Sequence, residues 1–183
     1  MKKATIFWCT GMSGAGKSTL ASYAFDKLKE RGLQVYIFDG DVVRENYDIQ
    51  LGFGREDVER NNLNVARLCE IERGNYDIII VPIISPIDTV RLAVRKLLSP
   101  EYYLIYIEAN IDSLRKRDPK GLYEKAEKGE ILDLIGYSDS NPYHIPTDAD
   151  FVIDTSNSHE VEKSKKKFLN FLLNSVIASD IFL

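Results

Sequence analysis

The sequence predicts an α/β fold in which a parallel sheet is covered by helices on both faces. Three observations carry this. Short apolar runs rich in strand formers alternate with apolar patterns at helical spacing. One run, Asp77–Val81, is continuously apolar after its first residue, as a strand buried on both faces should be. A glycine-rich loop, Gly11-Met12-Ser13-Gly14-Ala15-Gly16-Lys17-Ser18, joins the first strand to the first helix.

In chain order, Ala4–Cys9 is the first strand. Leu20, Ala21, Ala24, Phe25 and Leu28 then share a helical face, and Gly32 follows as the residue that ends the helix. Gln34–Phe38 is the second strand. A helix is predicted over Glu56–Arg73, stopping at Gly74. After the Asp77–Val81 strand, Ser85-Pro86 is expected to open another helix with proline at its first position; Ile87, Val90, Val94 and Leu97 lie on one side. Tyr103–Ile107 is the fourth strand, and Asn110 can cap a short helix to Arg117. Phe151–Ile153 is the fifth strand. Val161, Phe168 and Leu172 mark a last helix whose other face is rich in lysine. Lys116–Pro146 breaks the pattern. It is polar, charged and glycine-bearing, and reads as a lid or mobile segment rather than as core.

The whole, 1–183, fits one domain with a single core. Hydrophobic residues are 44% and charged residues 28%, an ordinary soluble globular balance. A net charge of −4 argues against a nucleic-acid polymer as partner, which needs a basic face, but not against small anions held in a local positive pocket. No apolar run approaches the ~18 residues of a membrane span, and the N-terminal run is too short for a signal peptide. A cytoplasmic location is expected. Cys9 and Cys69 each sit in an apolar stretch and read as small buried hydrophobes; no CxxC or Cys/His cluster points to a metal.

The glycine-rich loop carries the chemistry. It matches GxxxxGK[ST] between a predicted strand and a predicted helix, the context that gives the motif meaning. Glycines let the backbone wrap a phosphate with several N–H groups pointing inward, and the helix beginning at Lys17 adds its positive end. Gly11, Ser13, Gly14, Ala15, Gly16, Lys17, Ser18 and Thr19 are therefore the expected ATP site. Lys17 is expected to reach the β- and γ-phosphates and Ser18 to ligate Mg²⁺. GTPases share the loop, but the NKxD string they carry is missing here, and the DxxG match at Asp118–Gly121 falls too late in the chain. A kinase that excludes water from the γ-phosphate fits better.

The second strand ends in Phe38-Asp39-Gly40-Asp41-Val42-Val43-Arg44. Ligands of open parallel sheets bind beyond the strand C-termini, so these carboxylates and the arginine can position an acceptor hydroxyl and the Mg²⁺ shell. Alone, the string reads equally well as a solvated acidic turn.

It does not stand alone. GMSGAGKST, DGDVVR, LGF (51–53), ISP (84–86), RDPKGLYEKAEKGEI (117–131) and PY (142–143) occur in one order and spacing, and from Thr10 to about Pro146 the chain resembles adenylylsulfate (APS) kinases. RDPKGLY is the most specific element. The resemblance implies a P-loop NTPase fold of the nucleoside-monophosphate-kinase type, with a central five-stranded parallel sheet, and transfer of the ATP γ-phosphate to the 3′-hydroxyl of a nucleotide. It implies that Asp41 contacts the acceptor ribose as base, that Asp39 sits near the metal waters, and that Arg44 binds the acceptor's anionic linkage. Phe53 would stack on the acceptor base and Asn61 matches the family's asparagine. Arg117 and Asp118 would open the lid beside ATP, and Lys120, Gly121 and Leu122 would line the acceptor site. Members of the family are often dimers; no apolar stripe in this chain marks an interface.

The departures gather in the acceptor pocket. Val58 stands where the family has an arginine, and Leu63 and Asn64 where it has two basic residues; Arg60 or Arg67 would have to compensate. SPY reads Ser85-Pro86-Ile87. FTGI, whose phenylalanine flanks the acceptor adenine, reads Leu134-Ile135-Gly136-Tyr137, leaving Tyr137 as a candidate replacement ring. His144 replaces a glutamate. A missing stacking ring costs roughly tenfold or more in affinity. APS is the first expected acceptor. Cytidine diphosphoramidate, phosphorylated in capsule modification by a branch resembling APS kinases, is the second. A P-loop kinase of a non-nucleotide alcohol and a non-catalytic nucleotide sensor complete the alternatives.

Overall fold

β1 (Thr5–Thr10) is buried along its whole length and divides its side chains between two cores, as period-two alternation in a two-sided sheet requires. Phe7 and Cys9 pack with α1 (Lys17–Lys29) and α7 (Val161–Ile181) through Leu20, Ala24, Leu28, Phe168 and Leu172. Ile6 and Trp8 pack on the other face with Val65 and Cys69 of α3 (Arg55–Glu72) and with Val94 and Leu98 of α4 (Asp88–Leu98). The computed structural model describes residues 3–45 and 54–181. The remaining strands are β2 (Val35–Ile37), β3 (Ile78–Pro82), β4 (Tyr102–Glu108) and β5 (Phe151–Asp154). They form one five-stranded sheet in the order β2-β3-β1-β4-β5. Every pairing is parallel, with Phe7 beside Ile80 on one side and Tyr103 on the other. All five strand C-termini therefore share one edge, where ligands of such sheets bind.

The end of the sheet remote from that edge is tied by a buried arginine. Arg73, 2% exposed, donates to the carbonyls of Ala4 and Leu98 and pairs with Glu70 at 2.9 Å and Glu101 at 3.2 Å. Removing it strips the buried Ala4 and Leu98 carbonyls of a donor and leaves the partly exposed Glu70 and Glu101 carboxylates without their cation. Arg73→Ala is therefore expected to lower unfolding free energy by about 3 kcal/mol, read from the urea midpoint, without altering the substrate affinities of the surviving folded fraction.

Three elements differ from the sequence expectation. Pro86 does not open α4; the helix begins at Asp88, and Ile87 before it is extended at φ −104°, ψ 119°. Two six-residue helices, α2 (Gly40–Glu45) and α6 (Leu122–Glu127), are too short to show a periodic pattern. The 116–146 segment also contributes core: Tyr123 and Leu134 are buried in the α1/α7 cluster. Its end is fastened to the sheet, where Tyr143 Oη lies 2.8 Å from Thr10 Oγ1 and Arg91 donates to the His144 carbonyl at 2.8 Å. Asn110 does cap α5 (Ile111–Arg117), accepting from the Ser113 N–H at 2.9 Å. Cys9 and Cys69 are free and buried, and burial pushes the Cys69 thiol up to about 12.

Candidate active site

The site grows from the turn between β1 and α1. A side chain at Gly11 would collide with the Ile107 carbonyl, and Gly14 and Gly16 are left-handed at φ 75° and 95°, so the tight loop depends on glycine. Gly16 caps α1 without a side-chain bond, leaving the first-turn N–H groups of a thirteen-residue helix to a ligand.

Lys17 folds back along the loop, donating to the carbonyls of Gly11 at 2.8 Å and Met12 at 2.9 Å. Burial pushes its pKa down to about 8; Asp41 nearby pulls it up, and Lys120 adds to the depression. The sign follows: the ammonium is present below that value and lost above it, while a bound polyphosphate favours the charged form. ATP affinity is therefore expected to fall as pH rises through about 8, with net proton uptake on binding above it. Titration calorimetry in buffers of different ionisation enthalpy measures that uptake.

Beyond β2, Asp39 serves both neighbours. One carboxylate oxygen accepts from the Ser18 hydroxyl at 3.3 Å and the other from the Asp41 N–H at 3.0 Å, capping α2. Gly40 lets α2 lie against the loop after β3, since a Cβ there would sit 2.5 Å from Ile83 Cγ1. Asp41 meets Lys120 Nζ at 2.6 Å, both side chains more than half exposed. Lys120 is delivered by the α5–α6 turn, where the Asp118 carboxylate accepts from the N–H groups of Leu122 and Glu124.

Two clefts meet here. The first, about 490 Å³, is lined by Ser13–Leu20, Asp39, Arg117 and, from beyond β5, Thr155, Asn157, Val161 and Ser164. The second, about 590 Å³, is lined by Asn61, Leu122 and the 130–135 stretch. Ser13, Asp41, Ile83, Ile84 and Lys120 belong to both. Asn61 is 1% exposed; its amide donates to the Gly40 carbonyl at 3.3 Å, while among the described residues its Oδ1 has no hydrogen-bond partner. A buried acceptor left so is costly unless a ligand donor meets it.

Lys17, Ser18, Thr19, Asp39, Asp41, Arg117, Lys120, Asn61 and Leu122 thus come together on this edge. Arg117 lines the first cleft, but its guanidinium donates to the carbonyls of Thr155 and Ser156. Gly11 and Gly121 shape turns without lining either cleft. Phe53 and the side chain of Arg44 lie outside the described residues. None of the three candidate compensators lines the second cleft: Tyr137 packs edge-on against Tyr123 at 5.2 Å, and exposed Arg60 and Arg67 line a separate groove on α3. Val58 is 1% exposed and fills its own space, so an arginine there would bury a charge. Sequence reasoning missed Ile83, Ile84 and Thr155, whose available signal was position just beyond a strand C-terminus. It also missed the aliphatic wall made by Ile131, Leu132 and Ile135. Among the described residues no cluster of three or more His, Cys, Asp or Glu could hold a metal, and no helix is long and apolar enough to cross a membrane.

A parallel sheet with a phosphate loop beyond β1, carboxylates beyond β2 and two joined clefts defines a P-loop kinase, a phosphotransferase that uses ATP. The model of the adenylylsulphate kinase family matches residues 3–154. The chain belongs to that family. It is 38% identical over 167 residues to the adenylyl-sulfate kinase of Clostridium kluyveri, covering 91% of this chain and 82% of that one. It is 37% identical over 171 residues to the probable adenylyl-sulfate kinase of Bacillus subtilis, covering 93% and 85%. The Mycobacterium tuberculosis APS kinase, solved with AMPPNP and APS, superposes with a TM-score of 0.83 at 28% identity over 94% of this chain and 99% of that one. The chain is accordingly an enzyme that transfers phosphate to an alcohol.

Proposed function

We propose that the enzyme transfers the γ-phosphate of ATP to the 3′-hydroxyl of APS, giving 3′-phosphoadenylyl sulfate and ADP. The observation that carries this reading is the sharing of Asp41 and Lys120 by both clefts, in a chain similar to adenylyl-sulfate kinases over nine-tenths of its length. ATP takes the first cleft with its phosphates on the loop and the start of α1, and APS takes the second. Asp41 orients the 3′-hydroxyl and accepts its proton as the new O–P bond forms and the bond to the β–γ bridging oxygen breaks. A ribose hydroxyl needs orienting more than deprotonating, so an exposed carboxylate is adequate. Lys17 and Lys120 balance charge on the two anions. The Ser18 hydroxyl and Asp39 carboxylate, 3.3 Å apart, suit Mg²⁺, which keeps most of its waters and takes few protein oxygens. When bound there, Mg²⁺ neutralises charge on the phosphate oxygens; Ser18 would hold it directly and Asp39 through its waters. A second reading, cytidine diphosphoramidate as acceptor, draws on the aliphatic wall of the second cleft, where Leu134 stands beside Ile135. The test is product identification: phosphorus NMR after incubation with Mg-ATP and APS is expected to show a phosphate monoester on the 3′-oxygen. A product phosphorylated elsewhere would overturn the assignment.

A further inference from the structure

Tyr123 belongs to α6, yet its hydroxyl is spent on the phosphate loop. The side chain is 1% exposed, and Oη donates to the Ser13 carbonyl at 2.7 Å. Burial holds the phenol above its ordinary range, with Asp118 and Tyr137 adding to the shift, so it remains a neutral donor. A trans peptide is planar, with its C=O and N–H on opposite sides. Fixing the Ser13 carbonyl on Tyr123 therefore turns the Gly14 N–H the other way. Protein also stands behind that peptide: a Cβ on Gly14 would meet Pro119 Cδ at 3.5 Å and Leu114 Cδ2 at 3.8 Å. Ser13 and Gly14 both line the first cleft. Glycine tolerates either orientation of its peptide planes, so this plane needs an outside constraint.

We propose that Tyr123 is a positioning residue for the nucleotide, its hydroxyl locking the Ser13–Gly14 peptide so that the Gly14 N–H faces the phosphate chain. The proposal rests on the reading of this loop as the ATP site. Thr155 reaches a second plane, its single hydroxyl proton shared between the Ala15 carbonyl at 2.8 Å and that of Glu108 at 2.9 Å. Tyr123 is thus distinct from a residue that touches substrate. Its helix begins with Leu122, which lines the second cleft.

The test is calorimetric binding of Mg-ADP, with no acceptor present, to the full chain and two variants. Tyr123→Phe keeps the ring and loses one hydrogen bond. It is expected to bind Mg-ADP about tenfold more weakly, while its nucleotide-free unfolding midpoint falls by only about 2–4 °C. Tyr137→Leu removes the ring packed at 5.2 Å against Tyr123 but spares the hydroxyl. It is expected to lose at least as much thermal stability and to keep its Mg-ADP affinity within about twofold. Wild-type affinity in Tyr123→Phe, or equal weakening in Tyr137→Leu, would reduce Tyr123 to a packing residue and overturn the proposal. Absence of Mg-ADP binding in the unmodified protein would instead overturn the nucleotide reading on which it rests.

Discussion

Lys17→Ala is expected to lower turnover by at least about 100-fold while leaving the fold intact. Stabilising charge that develops on transferring oxygens is worth about that much when one preorganised donor is removed. The fold should survive because, among the described residues, Lys17 donates to the loop carbonyls of Gly11 and Met12 alone, and it belongs to neither apolar core. Its depressed pKa gives a second signature. Between about 8 and the ordinary lysine value the unfolded chain holds this proton more tightly than the folded one, so stability from this group rises with pH through that window. The variant should lose that rise. Single-turnover ADP formation and thermal unfolding at pH 7 and 9 read both effects, and near-normal turnover would remove Lys17 from the phosphate site.

Asp41→Asn is expected to slow transfer by roughly 100- to 10,000-fold, the range for a positioned proton acceptor, and to leave ATP binding largely unchanged. The contrast with Asp39 is geometric. Asp39 reaches the Ser18 hydroxyl, whereas Asp41 reaches Lys120 where the clefts join. Direct ATP titration alongside steady-state turnover separates the two roles. A parallel loss of ATP affinity in Asp41→Asn would move Asp41 to the metal side.

The centre of the sheet was legible in the sequence because β1, β3 and most of β4 are buried on both faces. A run such as Asp77–Val81 has no polar face to obscure it, and the observed β3 differs by one residue at each end. The phosphate loop was legible because its chemistry is local: one contiguous string bends the backbone, supplies the ammonium and starts the helix. What escaped was assembled across the chain. Tyr123 meets Ser13, 110 residues away, and Thr155 meets Ala15, 140 residues away; no spacing rule encodes either contact. The 116–146 segment misled for a related reason. Its composition is polar, but Tyr123 and Leu134 are apolar anchors spaced too irregularly to show a period, and they bury it against α1 and α7. In the acceptor half, position in a motif points to Val58 and Tyr137, but Val58 is buried, Tyr137 packs on Tyr123, and neither lines the second cleft.

The most direct test of the acceptor is coupled ADP release with Mg-ATP, comparing APS with cytidine diphosphoramidate at equal low concentration. APS-dependent turnover with the higher kcat/KM is expected, which would mean that a cleft carrying an aliphatic wall and a buried asparagine admits the adenylyl group. Preference for the cytidine compound, with little APS-dependent release, would contradict the assignment of APS and would make Leu134 and Ile135 the determinants of a different acceptor.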